Sequence, residues 1–309
     1  MRVLAVLEAF AVITIIIAVG AVVGRTGVLG DNARMVLNRV AFHVGVPALL
    51  LLSLADSTPS QVFSLPLLVS AVATLMMFGA YFAIATAVLR RRRSEAGIGA
   101  WAASWVNSGN LGIPLSAYVL GSTTEVSVLI VFQTVVLVPL GVAIINSDGR
   151  DGGSVRSQLK DFLTNPIIIA SAIGMTLAMT GITLPRAIHE PLDLLADLAI
   201  PTVLLAFGMA LVTRTERHGE DHRVDLVLAV VSKVLLMPAL AFVLARWVFS
   251  APAEQVAVIT VLAALPSAQN LNTYAEVFGR GQSLARDATL VTTIASVPVI
   301  AIIAALMGL

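Results

Sequence analysis

Two stretches of this chain place polar residues in the middle of apolar text. The first, WAASWVNSGNLGIPLSAYVLG (101–121), holds Asn107, Ser108, Asn110, Gly112 and Pro114. The second, AALPSAQNLNTYAEVFG (263–279), holds Pro266, then Ser267, Gln269, Asn270, Asn272, Thr273 and Tyr274. Proline removes a backbone donor and clashes with the preceding turn, so each stretch predicts a helix broken near its middle, at Pro114 and at Pro266. Gly109 and Gly112 ease the first break. A helix that restarts after a break presents free N–H groups and partial positive charge. Asn and Gln amides donate to the same kind of ligand. An anion such as a carboxylate is what this chemistry suits. The plainer alternative is that the amides bond neighbouring helices together. Tyr118 and Tyr274 either line such a site or pack.

Composition sets the medium in which these breaks would sit. Of the 309 residues, 58% are hydrophobic and 12% charged, with a mean hydropathy of +0.95. Soluble domains carry about 45–50% apolar and about 25% charged residues. A water-soluble globule could not hide so much apolar surface. Cysteine is absent, which excludes disulfides, Cys-ligated zinc, iron–sulfur clusters and thiol catalysis. A net charge of +1 argues against a nucleic-acid partner. Ten stretches are apolar enough to cross a bilayer: 3–23, 35–55, 65–89, 97–120, 125–146, 166–184, 191–212, 224–249, 255–279 and 286–308. Runs such as Val12–Val23 and Leu67–Leu89 do not alternate, so helices are expected rather than a β-barrel. The first stretch is longer than a signal-peptide core and reads as a true span. Irregular backbone at that depth survives only inside protein or beside a wet cavity.

Charge sidedness orients the spans. The turns after spans 1, 3, 5, 7 and 9 hold Arg25, Arg34, Arg39, Arg90 to Arg93, Arg150, Arg156, Lys160, Arg214, Arg217, Arg223, Arg280 and Arg286. The other side holds Arg2, Arg186 and Arg246. Fifteen against three puts both termini outside and those turns in the cytoplasm.

The chain also reads as two halves. Pro47 and Pro201 are 154 residues apart, Pro114 and Pro266 152, and Pro139 and Pro298 159. HVGVPALLLLSLA (43–55) parallels DLAIPTVLLAFGMA (197–210). The expected division is 1–146, a first five-helix repeat; 147–165, a cytoplasmic linker rich in Gly, Ser and Asp; and 166–309, a second repeat. Five is odd, so the second copy enters from the opposite face. Such an inverted repeat is a common plan for secondary transporters, with substrate at broken helices in matching positions. The architecture expected is thus all-α and integral to the membrane, with ten helices in two inverted repeats.

Other polar residues lie at depth. Lys233 is about nine residues into span 8. It could neutralise an anion, stand where relatives bind a cation, or snorkel to the surface. His43, four residues before Pro47, could titrate near neutral pH or simply be hydrogen-bonded. Glu276, near the end of span 9, is the one deep carboxylate that could serve ion coupling; Glu8 reads as interfacial. Asp193 and Asp197 suit a helix N-terminus.

NSGNLGIPLSAYVLG resembles the fourth-span motif of the auxin efflux carrier family of membrane transporters. So do RMVLNRVAFHVGVPALLLLSLA (34–55), LAIPTVLLAFGMAL (198–211), SKVLLMPALA (232–241) and ALPSAQN, and this ordered set covers essentially the whole chain. The resemblance implies ten spans, outside termini and broken helices 4 and 9 crossing at mid-membrane. It also implies a scaffold of spans 1, 2, 6 and 7 and a moving unit of spans 3–5 and 8–10, similar in fold to bile-acid sodium symporters. It implies organic anions as substrates: auxin in plants, malate or malonate in bacteria. The family's substrate-contacting asparagines map onto Asn110 and Asn270, and its crossover prolines onto Pro114 and Pro266. The span-9 text departs by two missing residues. The short linker fits a compact prokaryotic-type member.

Rival functions fit less well. An intramembrane enzyme would need an HExxH helix, a serine elbow or paired aspartates, and none is present. A channel or receptor for a small anion would not need duplicated broken helices. A sodium-coupled symporter remains an alternative, although deep carboxylates are scarce. The expected partners are a small organic anion and the bilayer; no cofactor or metal is expected. The anion, the coupling ion, the direction of flux and a homodimer are left open.

Overall fold

The computed structural model describes residues 2–30, 32–62, 64–147, 163–212 and 222–307, with side chains from residue 11 onward except residue 62. Most of the expected linker, with Arg150, Arg156 and Lys160, lies outside the described residues, as do Arg214, Arg217 and the Glu8 side chain. The described residues are helical, with one isolated antiparallel bridge, Val106 to Ser267, and no strand. Six helical stretches are long and apolar enough to cross a membrane: Ala33–Ala55, Pro59–Ala87, Thr124–Asn146, Arg186–Val212, Arg223–Val248 and Gln282–Met307. Ala11–Thr26, Pro166–Thr180 and Ala253–Ala263 are shorter apolar helices. Large apolar side chains face outward, among them Ile294 at 66% and Leu306 at 82% exposed. A lipid-facing surface accounts for this.

Helix ends follow local chemistry. The Asn165 side chain accepts from the Ile167 N–H at 2.9 Å, and Pro166 occupies the first turn. Gly181, at φ 69°, ends that helix in the left-handed region.

Four prolines share one device. Pro47, Pro114, Pro139 and Pro238 each follow a wide π turn, at Ala41–Gly45, Ser108–Gly112, Gln133–Leu137 and Ser232–Leu236. In three of them the N–H just before the proline reaches back five residues: Val46 to Ala41, Val138 to Gln133 and Met237 to Ser232. The widened turn makes room for the ring that would otherwise strike the preceding turn. Four of the candidate site residues, His43, Asn110, Gly112 and Lys233, lie in these turns. The repeat mates proposed for Pro47, Pro114 and Pro139 differ locally. Pro201 is in the first turn of Ala199–Val212, Pro266 is in a break, and Pro298 is inside an unbroken helix.

The chain forms two compact units. One comprises Met1–Ser64, Gly109–Val131 and Ser154–Glu216. Its helices Arg2–Thr26 and Ala199–Val212 meet backbone to backbone: a Cβ on Gly20 would strike Leu205, and one on Gly208 would strike Ile17. Hydroxyls join Val46–Ala55 to the start of Thr124–Phe132, through Ser53 with Thr123 (3.1 Å), Ser127 with Ser53 (3.2 Å) and Ser57 with Thr124 (3.2 Å).

The other unit comprises Leu65–Ser108, Phe132–Gly153 and Arg217–Leu309. Its buried aromatics sit on glycines that admit no Cβ: Tyr81 on Gly99, and Trp101 on Gly141. The Trp101 indole donates to the Leu137 carbonyl at 3.1 Å. At one end of the unit Arg91 grips Asp225 bidentately, at 3.1 and 2.6 Å. The Asp225 carboxylate holds the Arg91 guanidinium above its ordinary pKa by hydrogen bonding and charge.

Candidate functional site: two paired helix breaks

Within the second unit, helix Arg93–Ser104 stops at Trp105, which turns extended. Helix Ala253–Ala263 stops one residue before Ala264, and Asn270–Phe278 begins after the gap. The two gaps run antiparallel. Asn107 N–H donates to Pro266 O at 2.8 Å, and Ala268 N–H donates to Trp105 O at 2.9 Å. Ser267 locks the crossing. Its Oγ donates to Ala102 O at 2.5 Å, and its N–H donates to Thr292 Oγ1 at 3.1 Å. Thr292 in turn donates to Ala288 O at 2.7 Å. Residues 261–268 are all buried. Unwound backbone in such a place needs partners, and each gap supplies them to the other.

Polar side chains gather beside the crossing. Asn107 is 3% exposed and Ser108 is equally sealed. Ser108 Oγ donates to Gln133 Oε1 at 3.0 Å. Gln133 is 3% exposed, and its Nε2 meets no protein acceptor. A buried donor left so costs about 1–3 kcal/mol unless something occupies it. Asn272 Nδ2 reaches Gln269 O at 3.3 Å and Thr289 Oγ1 at 3.4 Å, while its Oδ1 is unpaired. Tyr274 packs against Trp101 and Trp105, with ring centroids 5.2 and 5.8 Å apart, which fastens Asn270–Phe278 to Arg93–Ser104.

The second unit thus brings together Asn107, Pro266, Gln269, Asn272 and Tyr274. Asn270 belongs to it and is exposed, as is Glu276. Lys233 also belongs to it and is wholly buried, so it does not snorkel; its Nζ donates to Ala263 O at 2.8 Å. Asn110, Gly112, Pro114 and His43 fall in the first unit. Asn110 is half-buried, and Gly112 and Pro114 are buried. His43 is exposed, with Nδ1 3.0 Å from Arg39 O in its own helix. Tyr118 is exposed.

One expectation is corrected. Pro114 does not break its helix; the gap lies upstream at 105–107, where there is no proline. The π turn Ser108–Gly112 absorbs the ring instead. Pro266 does lie in its gap. Sequence reasoning missed Gln133, Ser267 as the lock, and Thr292. An amide alone in the apolar run LIVFQTVVLVP was the available signal for Gln133.

Comparison with known proteins agrees with this picture. Residues 5–304 match a family model described as "Membrane transport protein". An "Uncharacterized transporter" of Methanothermobacter thermautotrophicus is 28% identical over 74% of this chain and 74% of its own. A "Putative malonate transporter" of Rhizobium meliloti is 25% identical, covering 84% of this chain and 83% of its own. An "Uncharacterized transporter YfdV" of Escherichia coli K12 is 23% identical over 83% of each. A transporter rather than an enzyme follows, multi-pass by its apolar helices. With the match running nearly end to end, this chain belongs to the Mem_trans family of membrane transport proteins, the auxin efflux carrier family.

Proposed function

We propose that the protein is a secondary carrier for a small carboxylate anion, held at the paired breaks. The observation that carries this reading is the backbone pairing of residues 105–107 with 266–268. Each break ends one helix and starts another, so two helix N-termini and several side-chain amides lie beside the crossing, and these are the kinds of group an anion needs. The unpaired Nε2 of Gln133 is a further donor beside Ser108. The name of one relative, "Putative malonate transporter", supports a dicarboxylate as the first ligand to try.

In this reading the chain crosses the plasma membrane ten times, with both termini outside, as two inverted repeats. Spans 3–5 and 8–10 move against spans 1, 2, 6 and 7 to expose the site alternately. Asn107, Gln133, Gln269 and Asn270 present donors, and Asn272, whose Nδ2 is held by Gln269 and Thr289, lines the site. Asn110 adds another from the helix that restarts after the first break. Pro266 keeps its gap open, Gly112 and Pro114 shape the restart, and Tyr274 positions Asn270–Phe278.

Purified protein in liposomes tests this. Malonate or malate loaded inside is expected to drive saturable counterflow of labelled substrate. Flux on the scale of conductance, without counterflow, would identify a channel instead.

A further inference from the structure

Among the described residues two charged side chains are buried, Asp225 and Lys233, and they are handled differently. Asp225 has the Arg91 guanidinium. Lys233 has no carboxylate partner among the described residues; its ammonium donates to the carbonyl of Ala263. Ala263 is the last residue of its helix, so this carbonyl is one that the helix itself leaves unpaired. The end of a helix carries about half a negative charge. Lys233 therefore lies on the negative pole of the helix that runs into the second break. The matching pole of the first break, at Ala102, receives only the neutral Ser267 hydroxyl.

The charge balance follows. Two helices end at the breaks and two begin, so the four poles nearly cancel. When protonated, the Lys233 amine adds a full positive charge to that sum. We propose that Lys233 is the resident cation of the paired breaks: it fills, by a covalent tether, the place an alkali cation would take on the carbonyl end of Ala253–Ala263. This makes the crossing attractive to an anion with no added metal ion. The part concerning the anion rests on the reading that substrate is held at the breaks; the capping part does not. Lys233 is a positioning residue, since its ammonium is committed to Ala263 and is sealed from any ligand space.

Melting temperatures of the full-length purified protein separate these claims. The wild type is expected to melt alike in sodium chloride and in choline chloride at equal ionic strength. Lys233→Ala is expected to melt about 3–10 °C lower in choline chloride. Sodium or n-propylammonium should recover part of that loss, because each can reach the bared carbonyls and choline is too bulky. Lys233→Arg should stay near the wild type, and Lys233→Met should fall and ignore all three salts. Should Lys233→Ala not be obtainable, the Arg and Met pair decides. Met equal to Arg, or Lys233→Ala indifferent to sodium and to the amine, would overturn the proposal. A side chain that merely fills space would be mimicked best by Met. Anion binding supplies the second readout: Lys233→Met should weaken malonate binding by about tenfold or more. Cation-responsive melting in Lys233→Ala, with no carboxylate transported by the wild type, would keep the cap and remove the carrier reading.

Discussion

At the first break the chain leaves its helix at Trp105 without a proline, and restarts through the π turn Ser108–Gly112. At the second, Pro266 lies inside the gap, and the chain restarts as an ordinary α-helix, Asn270–Phe278. The carbonyl end of the first helix is met by a hydroxyl, that of the second by an ammonium. Neither break is self-sufficient. Asn107 needs the Pro266 carbonyl, and Ala268 needs the Trp105 carbonyl. The difference teaches that proline is one of two ways to stop these helices. A partner able to accept the freed backbone groups is the other.

If the breaks depend on each other through Ser267, the largest effect comes there. Ser267→Val is expected to abolish transport and to lower stability by about 1–3 kcal/mol, because the Ala102 carbonyl loses its donor in a dry place. Thermal unfolding in detergent checks it; a melting temperature equal to wild type would show that the crossing does not need this lock. Next come the donors. Gln133→Leu removes the unpaired amide and should weaken anion binding by roughly 10–100-fold, since hydrogen bonds to charged groups are worth about 1.5–3 kcal/mol. Folding should be kept or improved, because an unsatisfied donor goes too. Tighter or unchanged malonate binding would remove Gln133 from the site. Asn110→Ala and Asn270→Ala should each weaken binding by about tenfold while leaving folding intact. Unchanged affinity in both would remove the pair. The smallest effect belongs to Pro114→Ala, within about 1 kcal/mol of wild type in stability. The π turn already accommodates the ring, so a large loss would mean that Pro114 holds the restart after all.

That both stretches are interrupted was legible in the sequence, because Asn, Ser and Gln cannot hide in an apolar span without a purpose; Pro266 marked the second gap, whereas the first lies at 105–107 and not at Pro114. The agent of the first was not. A proline rule sees a missing donor at Pro114, but not the widened turn that absorbs it. The gap at Trp105, Val106 and Asn107 exists because a segment some 160 residues later accepts and supplies its hydrogen bonds, and that pairing is invisible in local text. Gln133 escaped for a related reason. One amide in an apolar run looks like helix glue until its Nε2 is found without a partner. Lys233 was read as deep, but its acceptor, 30 residues away, depends on where Ala253–Ala263 ends. Of the ten stretches apolar enough to span, the two expected to be interrupted, 97–120 and 255–279, are each divided in the structure.

The central claim is that the paired breaks bind a carboxylate. Because the chain has no cysteine, a single thiol reports on the site without background. Asn270→Cys, beside the second break, and Val277→Cys, exposed at the far end of the same helix, can be alkylated with a charged maleimide across a panel of small carboxylates. Saturable slowing of alkylation at position 270, with none at 277, is the predicted result. Equal rates at position 270 with and without every carboxylate, in protein that still folds and at concentrations raised by more than the roughly tenfold weakening expected from loss of the Asn270 amide, would contradict it.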